Sequence, residues 1–80
     1  MFIVYILHSQ KDPSKYYVGF TQYLHKRLEA HNSGKTLFSR RYSPWDIECF
    51  ITFKDESKAR KFERYLKKGS GHAFLKKHLT

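Results

Sequence analysis

The chain is poor in several residue types, and each shortage excludes a class of protein. A single cysteine, Cys49, in 80 residues leaves no internal disulfide framework and no cysteine-rich zinc site. No apolar run approaches the roughly 20 residues that a membrane-crossing helix needs. The N-terminal stretch also lacks a basic start followed by an apolar segment, so it does not read as a secretory leader. The expectation is a cytoplasmic protein with no membrane association. Two prolines and four glycines leave no linker or low-complexity segment, and no internal repeat is present. Acid is scarce as well: seven Asp+Glu stand against 16 Lys+Arg, for a formal charge of +9.

At about 150 residues per domain, the length predicts one domain spanning residues 1–80. A domain this small buries only about 60% of its unfolded surface. Seven Phe, six Tyr and one Trp offset that, because each ring hides a large area. The positive charge is uneven: residues 56–80 hold eight Lys/Arg and two Glu, whereas residues 1–55 hold eight Lys/Arg and five Asp/Glu. Such a folded, basic domain is expected to meet a polyanion, and nucleic acid leads. The competing reading is a solubilising surface with no partner.

Residues 2–8 (Phe-Ile-Val-Tyr-Ile-Leu-His) are almost wholly apolar and β-branched or aromatic, as in a central strand covered on both faces. Ile3, Tyr5 and Leu7 point one way; Phe2, Val4 and Ile6 point the other. A turn at Asp12-Pro13 leads into a second strand at residues 16–20, antiparallel because the loop is short. Thr21 is placed to cap a helix from Gln22 to Asn32, stopped by Ser33-Gly34. On that helix Leu24, Arg27, Leu28 and His31 share one face. Two polar residues on an inward stripe are a local conflict of the kind that marks function. Residues 35–44 read as a basic loop, and Trp45–Phe53 as a third strand with Ile47, Cys49, Ile51 and Phe53 on one face. A helix from Glu56 to Lys68 follows, capped by Asp55 or Ser57, and a last short one ends near Leu79. The order β-β-α-β-α-α predicts an α+β fold, with a small three-stranded antiparallel sheet flanked by helices.

Several tempting motifs fail on their spacing. The letters Gly34-Lys35-Thr36 end a phosphate-binding loop, but Glu29 stands where that loop needs glycine, and a helix comes first rather than a strand. His8, His25, His31, His72 and His78 contain no pair at a zinc-motif spacing. Cys49 reads as a packed thiol. Glu63 admits two readings. It borders the expected buried stripe of Ala59, Phe62 and Leu66, and it either pairs with Lys67 one turn on or offers a carboxylate to a hard cation. Helix geometry alone favours the pair. Tyr5 and Tyr17 project from the same face if the hairpin closes symmetrically, and by themselves they are ordinary strand aromatics.

Taken in order, these residues resemble the GIY-YIG endonuclease family. Ile3-Val4-Tyr5 matches the first half-motif, with isoleucine in place of glycine, and Tyr17-Val18-Gly19 matches the second. Arg27 lies on a helix that ends His31-Asn32-Ser33-Gly34. Arg40-Arg41 precede Pro44-Trp45, and Ser57 to Glu63 is similar to the helix that carries the family's metal-binding glutamate. The match runs over residues 2–68. Phe20 departs from the lysine of the excision-repair nuclease domains, and no asparagine follows Gly69. The resemblance is to the small stand-alone members.

That resemblance implies hydrolysis of DNA phosphodiester bonds with one Mg²⁺ or Mn²⁺, held by Glu63 with waters and a phosphate oxygen. Tyr17 is implied as general base, Arg27 as the phosphate brace, and Tyr5 and His31 as orienting groups. Ionising an ordinary phenol at pH 7 costs about 4 kcal/mol, so the surroundings must lower that cost. Gly19 is implied to let the backbone approach the substrate. Lys35, Arg40, Arg41, Lys58, Lys61 and Lys67 are implied to grip phosphates rather than read bases. DNA is expected ahead of RNA, and nicked, flapped or branched DNA of repair or recombination ahead of a long specific site. Two alternatives stay open: a nucleic-acid-binding module without catalysis, and a subunit that needs a protein partner.

Overall fold

A computed structural model describes residues 1–80. Three strands, β1 (Phe2–Ser9), β2 (Tyr16–Thr21) and β3 (Trp45–Phe53), form one antiparallel sheet in the order β2-β1-β3. Helices α1 (Leu24–Asn32) and α2 (Leu37–Tyr42) lie between β2 and β3, while α3 (Glu56–Leu66) and α4 (Gly69–Phe74) follow β3. A π-helical turn, Leu75–Leu79, continues α4. The protein is α+β, and the strands match their expected positions to within a residue.

The central strand decides the layering. Val4 and Ile6 meet Ala59, Leu66 and Leu75 on one face, whereas Tyr5 and Leu7 meet Leu24 and Trp45 on the other. Helix α3 therefore covers one side of the sheet and α1 the other. Alternation along β1 produces this division, since successive side chains leave a strand on opposite faces.

Four local expectations change. The stretch from Lys35 to Pro44 is not all loop, because Leu37–Tyr42 is helical. Thr36 Oγ1 accepts from Ser39 N at 3.0 Å and Thr36 N donates to Ser39 Oγ at 3.2 Å. This is a reciprocal capping box with serine in place of the usual Glu or Gln. Helix α1 starts at Leu24 rather than Gln22, because the Thr21 hydroxyl closes a turn on Tyr23 N at 3.0 Å instead of capping the helix. Helix α3 ends at Leu66, with Asp55 as its cap. Lastly, Ile47 does not share a face with Cys49 and Phe53. The register slips between Ile6↔Cys49 and Leu7↔Ile47, so Glu48 is an extra residue in β3. Such a bulge turns the strand over. Ile47 then packs with Tyr5 and Leu7, and Cys49 and Phe53 with Val4 and Ile6.

Candidate active site

The site is built around β2, an edge strand. Pairing of Tyr5 with Gly19 and of Leu7 with Tyr17 puts both tyrosines on the α1 side, with ring centroids 6.2 Å apart. Gly19 is what lets Tyr5 lie flat there: a Cβ at position 19 would collide with the Tyr5 hydroxyl and Cζ. On this face the room beside Gly19 is thus filled by Tyr5 rather than left open to a substrate, which departs from the use implied by sequence.

Helix α1 supplies the next groups. Its inward stripe holds Leu24, Leu28 and His31, and Arg27 stands one turn before His31 on the exposed flank. The His31 ring lies 4.3 Å from the Tyr17 ring, and its Nε2 shares a 3.3 Å hydrogen bond with the Tyr5 hydroxyl. Gly34, at φ +73°, ends the helical run in the left-handed conformation that glycine adopts without penalty. Asn32 then ties α1 to the start of β3: its amide donates to Trp45 O at 3.1 Å and its Oδ1 accepts from Trp45 N. Tyr17, Arg27, His31 and Lys35 line an open pocket of about 220 Å³, together with Thr36 and Ser39 of the α2 cap. The pocket role of Thr36 and Ser39 was hidden in the sequence by the missed helix. The signal available was the Thr-x-x-Ser spacing.

Glu63 arrives from the opposite side of the sheet. Its side chain is 19% exposed, and Lys67 Nζ lies 2.7 Å from its Oε2. Lys67 also lines a second pocket, of about 250 Å³, together with Tyr16, Tyr17 and Val18 of β2. Tyr17 therefore belongs to both pockets, one with Arg27 and His31 and one with Lys67, the ion-pair partner of Glu63. Of the two readings of Glu63, the helical pair with Lys67 is present, and that lysine in turn lines the pocket beside β2.

Electrostatics acts strongly on Tyr5. Burial, first, and then the charges of Tyr17 and Glu63 push the Tyr5 hydroxyl well above the usual phenol range, against a smaller opposing pull from Arg27. Tyr5 is 1% exposed and stays protonated. Burial, aided by Arg27, lowers the His31 pKa from 6.5, so the imidazole is neutral at pH 7. Cys49 is raised by burial and by Glu48, which suits a packed thiol.

No three His, Cys, Asp or Glu side chains converge anywhere in the chain. A multidentate zinc site is therefore unsupported. One half-buried carboxylate already holding a cation fits the other pattern, in which Mg²⁺ or Mn²⁺ takes one or two carboxylates plus waters and phosphate oxygens.

The remaining basic residues divide into three groups. Lys35 lines the Tyr17 pocket, Arg40 and Arg41 lie on α2, and Lys58 and Lys61 are exposed on α3. Lys67 differs from the others, because its ammonium is committed to Glu63.

The GIY-YIG catalytic domain model matches residues 1–77. The chain belongs to this family, whose domain is a nuclease of the endonuclease type, hydrolysing phosphodiester bonds with DNA as substrate. Comparison with curated proteins gave no significant match.

Proposed function

We propose that this protein is a metal-dependent, structure-selective DNA endonuclease of repair or recombination, cutting nicked, flapped or branched DNA as one cytoplasmic domain of residues 1–80. The observation that supports this best is the position of Tyr17 between two charged environments. Arg27 and His31 line one pocket with it, and Lys67, the ion-pair partner of Glu63, lines a second.

In this reading the scissile phosphate sits in the Tyr17 pocket. Glu63 holds Mg²⁺ or Mn²⁺, which when bound supplies positive charge against the growing charge of the phosphate. Arg27 braces the phosphate oxygens with its planar fork. Tyr17, acting as its phenolate, accepts the proton of the attacking water. Tyr5 cannot share that task, because burial keeps its own proton in place; it orients His31 instead, through their hydrogen bond. Neutral His31 adds no second cation beside Arg27 and offers a lone pair for a proton. Lys35, Arg40, Arg41, Lys58 and Lys61 hold the DNA backbone.

The test is cleavage of end-labelled flapped, nicked and intact duplexes with Mg²⁺ or Mn²⁺. Glu63→Ala should abolish cutting, and Tyr17→Phe should reduce it by about 10²–10⁴, the usual range for a lost acid–base group. Cutting by either variant at the parent rate would refute the assigned roles. Binding without cutting by the parent under every divalent ion would select a non-catalytic module.

A further inference from the structure

Helix α2 presents two apolar side chains to solvent beside the pocket. Leu37 is 74% exposed and Phe38 41%. The inner side of the Phe38 ring is used, with centroids 5.6 Å from Trp45, 5.1 Å from Tyr42 and 6.3 Å from Tyr17. Its outer side and Leu37 have no partner in the fold. The Trp45 indole donates to Ser39 O at 3.0 Å, so the helix bearing them is anchored, and the exposure is a held geometry rather than a frayed end.

Charge identifies the occupant. From Ala30 to Trp45 there is no acidic residue, while Lys35, Arg40 and Arg41 all fall within four residues of the exposed pair in the chain, Arg41 also lining a shallow pocket with Lys11 and Asp12. A basic rim around an aromatic face is how proteins hold single-stranded nucleic acid, with the cations following the phosphates and the ring stacking on a base. A base-paired duplex offers no free base face to such a ring. Phe50 is also exposed, but on β3 its nearest charged residue in the chain is the acidic Glu48, not a cation.

We propose that Phe38, flanked by Leu37, is a stacking site for an unpaired nucleobase next to the phosphate held at Tyr17. The inference rests on the nuclease reading of that pocket and supplies the means by which an interrupted or flapped duplex is preferred. Its substrate class is DNA carrying at least one unstacked base at the cut.

The experiment uses the whole chain in EDTA, so that binding is read without cleavage. The probes are a duplex with a short flap bearing 2-aminopurine at its first unpaired position and the fully paired duplex of the same sequence. The parent protein should quench the 2-aminopurine fluorescence and bind the flapped DNA about tenfold more tightly. Phe38→Leu keeps an apolar group against Trp45 but removes the ring; it should lose the quench and most of the preference. Leu37→Ser alters a side chain the fold does not use and should weaken the preference in part, with an unchanged melting curve. Retention of both quench and preference in Phe38→Leu would overturn the stacking site. So would equal binding of the two DNAs by the parent, which would turn the pair into a protein contact. Cleavage by the parent, assayed separately with Mg²⁺, keeps the two proposals apart. A parent that cuts while Phe38→Leu keeps its preference sinks only the stacking site. A parent that stacks but never cuts sinks only the nuclease reading.

Discussion

The hydroxyl end of Tyr5 lies over the α-carbon of Gly19, in the space a side chain would fill. The ring is fully buried between β2 and α1 and cannot swing away without disturbing Leu24 and Trp45. Gly19→Ala should therefore destabilise the fold by about 1–3 kcal/mol, the usual cost of overpacking. Urea denaturation measures it. Tyr5→Phe removes the nearest clashing atom, so the double variant should lose less than the two single losses added together. Strict additivity would show that the ring does not sit there.

The Glu63–Lys67 pair predicts a metal effect. Lys67 is 47% exposed at its side chain, and an exposed helical pair contributes only a few tenths of a kcal/mol. Lys67→Gln should leave the melting temperature nearly unchanged. It should also free the carboxylate, so that a lower Mn²⁺ concentration half-saturates cleavage. A metal titration of the variant that overlays the parent's would separate Glu63 from the ion.

His31 predicts an acid limb of stability. Its folded pKa lies below the ordinary 6.5, so the unfolded chain binds this proton more tightly. The stability it contributes is complete above about pH 6.5 and is lost as pH falls through the lowered folded value. Thermal melts between pH 7 and pH 5 should show the decline, and His31→Gln should flatten it. Tyr5 gives the opposite limb. Its folded pKa is raised, so its contribution is full below the ordinary phenol value and is lost as pH rises towards the folded one.

Asn32 holds the end of α1 to the first residue of β3 through two hydrogen bonds. Asn32→Ala should cost about 1–3 kcal/mol, since Trp45 N and O lose their partner together. Denaturation should report that loss, and the Tyr17–His31 geometry should loosen with it. A parent-like stability would mean that α2 and Trp45 hold this corner unaided.

Backbone gripping has a salt signature. If about five phosphates are neutralised, log K should fall against log salt with a slope near −4.5. Paired Arg40→Ala and Arg41→Ala should bring the slope closer to zero by roughly 2. A slope that does not move would place the DNA elsewhere on the surface.

Much of the fold was legible because its signals are local. An unbroken apolar run marked β1 as the middle strand, and Asp55 marked the start of α3. Helix α2 escaped notice because it has only six residues, too few for a period to show, and because Ser39 replaces the usual capping-box acid. The bulge at Glu48 escaped for a different reason. Side chains still alternate between covered and exposed along all of β3, so nothing in the letters signals that Ile47 and Cys49 cover opposite faces. The family resemblance drew attention to Tyr5, Tyr17, Arg27, His31 and Glu63. It did not disclose that Tyr5 occupies the room beside Gly19, or that Lys67 is bound to Glu63.

From the order of residues alone come the strands, the longer helices, the basic character and the two tyrosines on one face. These depend on alternation, capping and charge, which act within a few residues. Only the folded chain decides that α1 and α3 cover opposite faces of one sheet and still bring His31 and Lys67 to a single edge strand. It also decides how far the Tyr5 phenol is pushed from its ordinary behaviour. Burial and neighbouring charge set that shift, and both are properties of packing across distant segments.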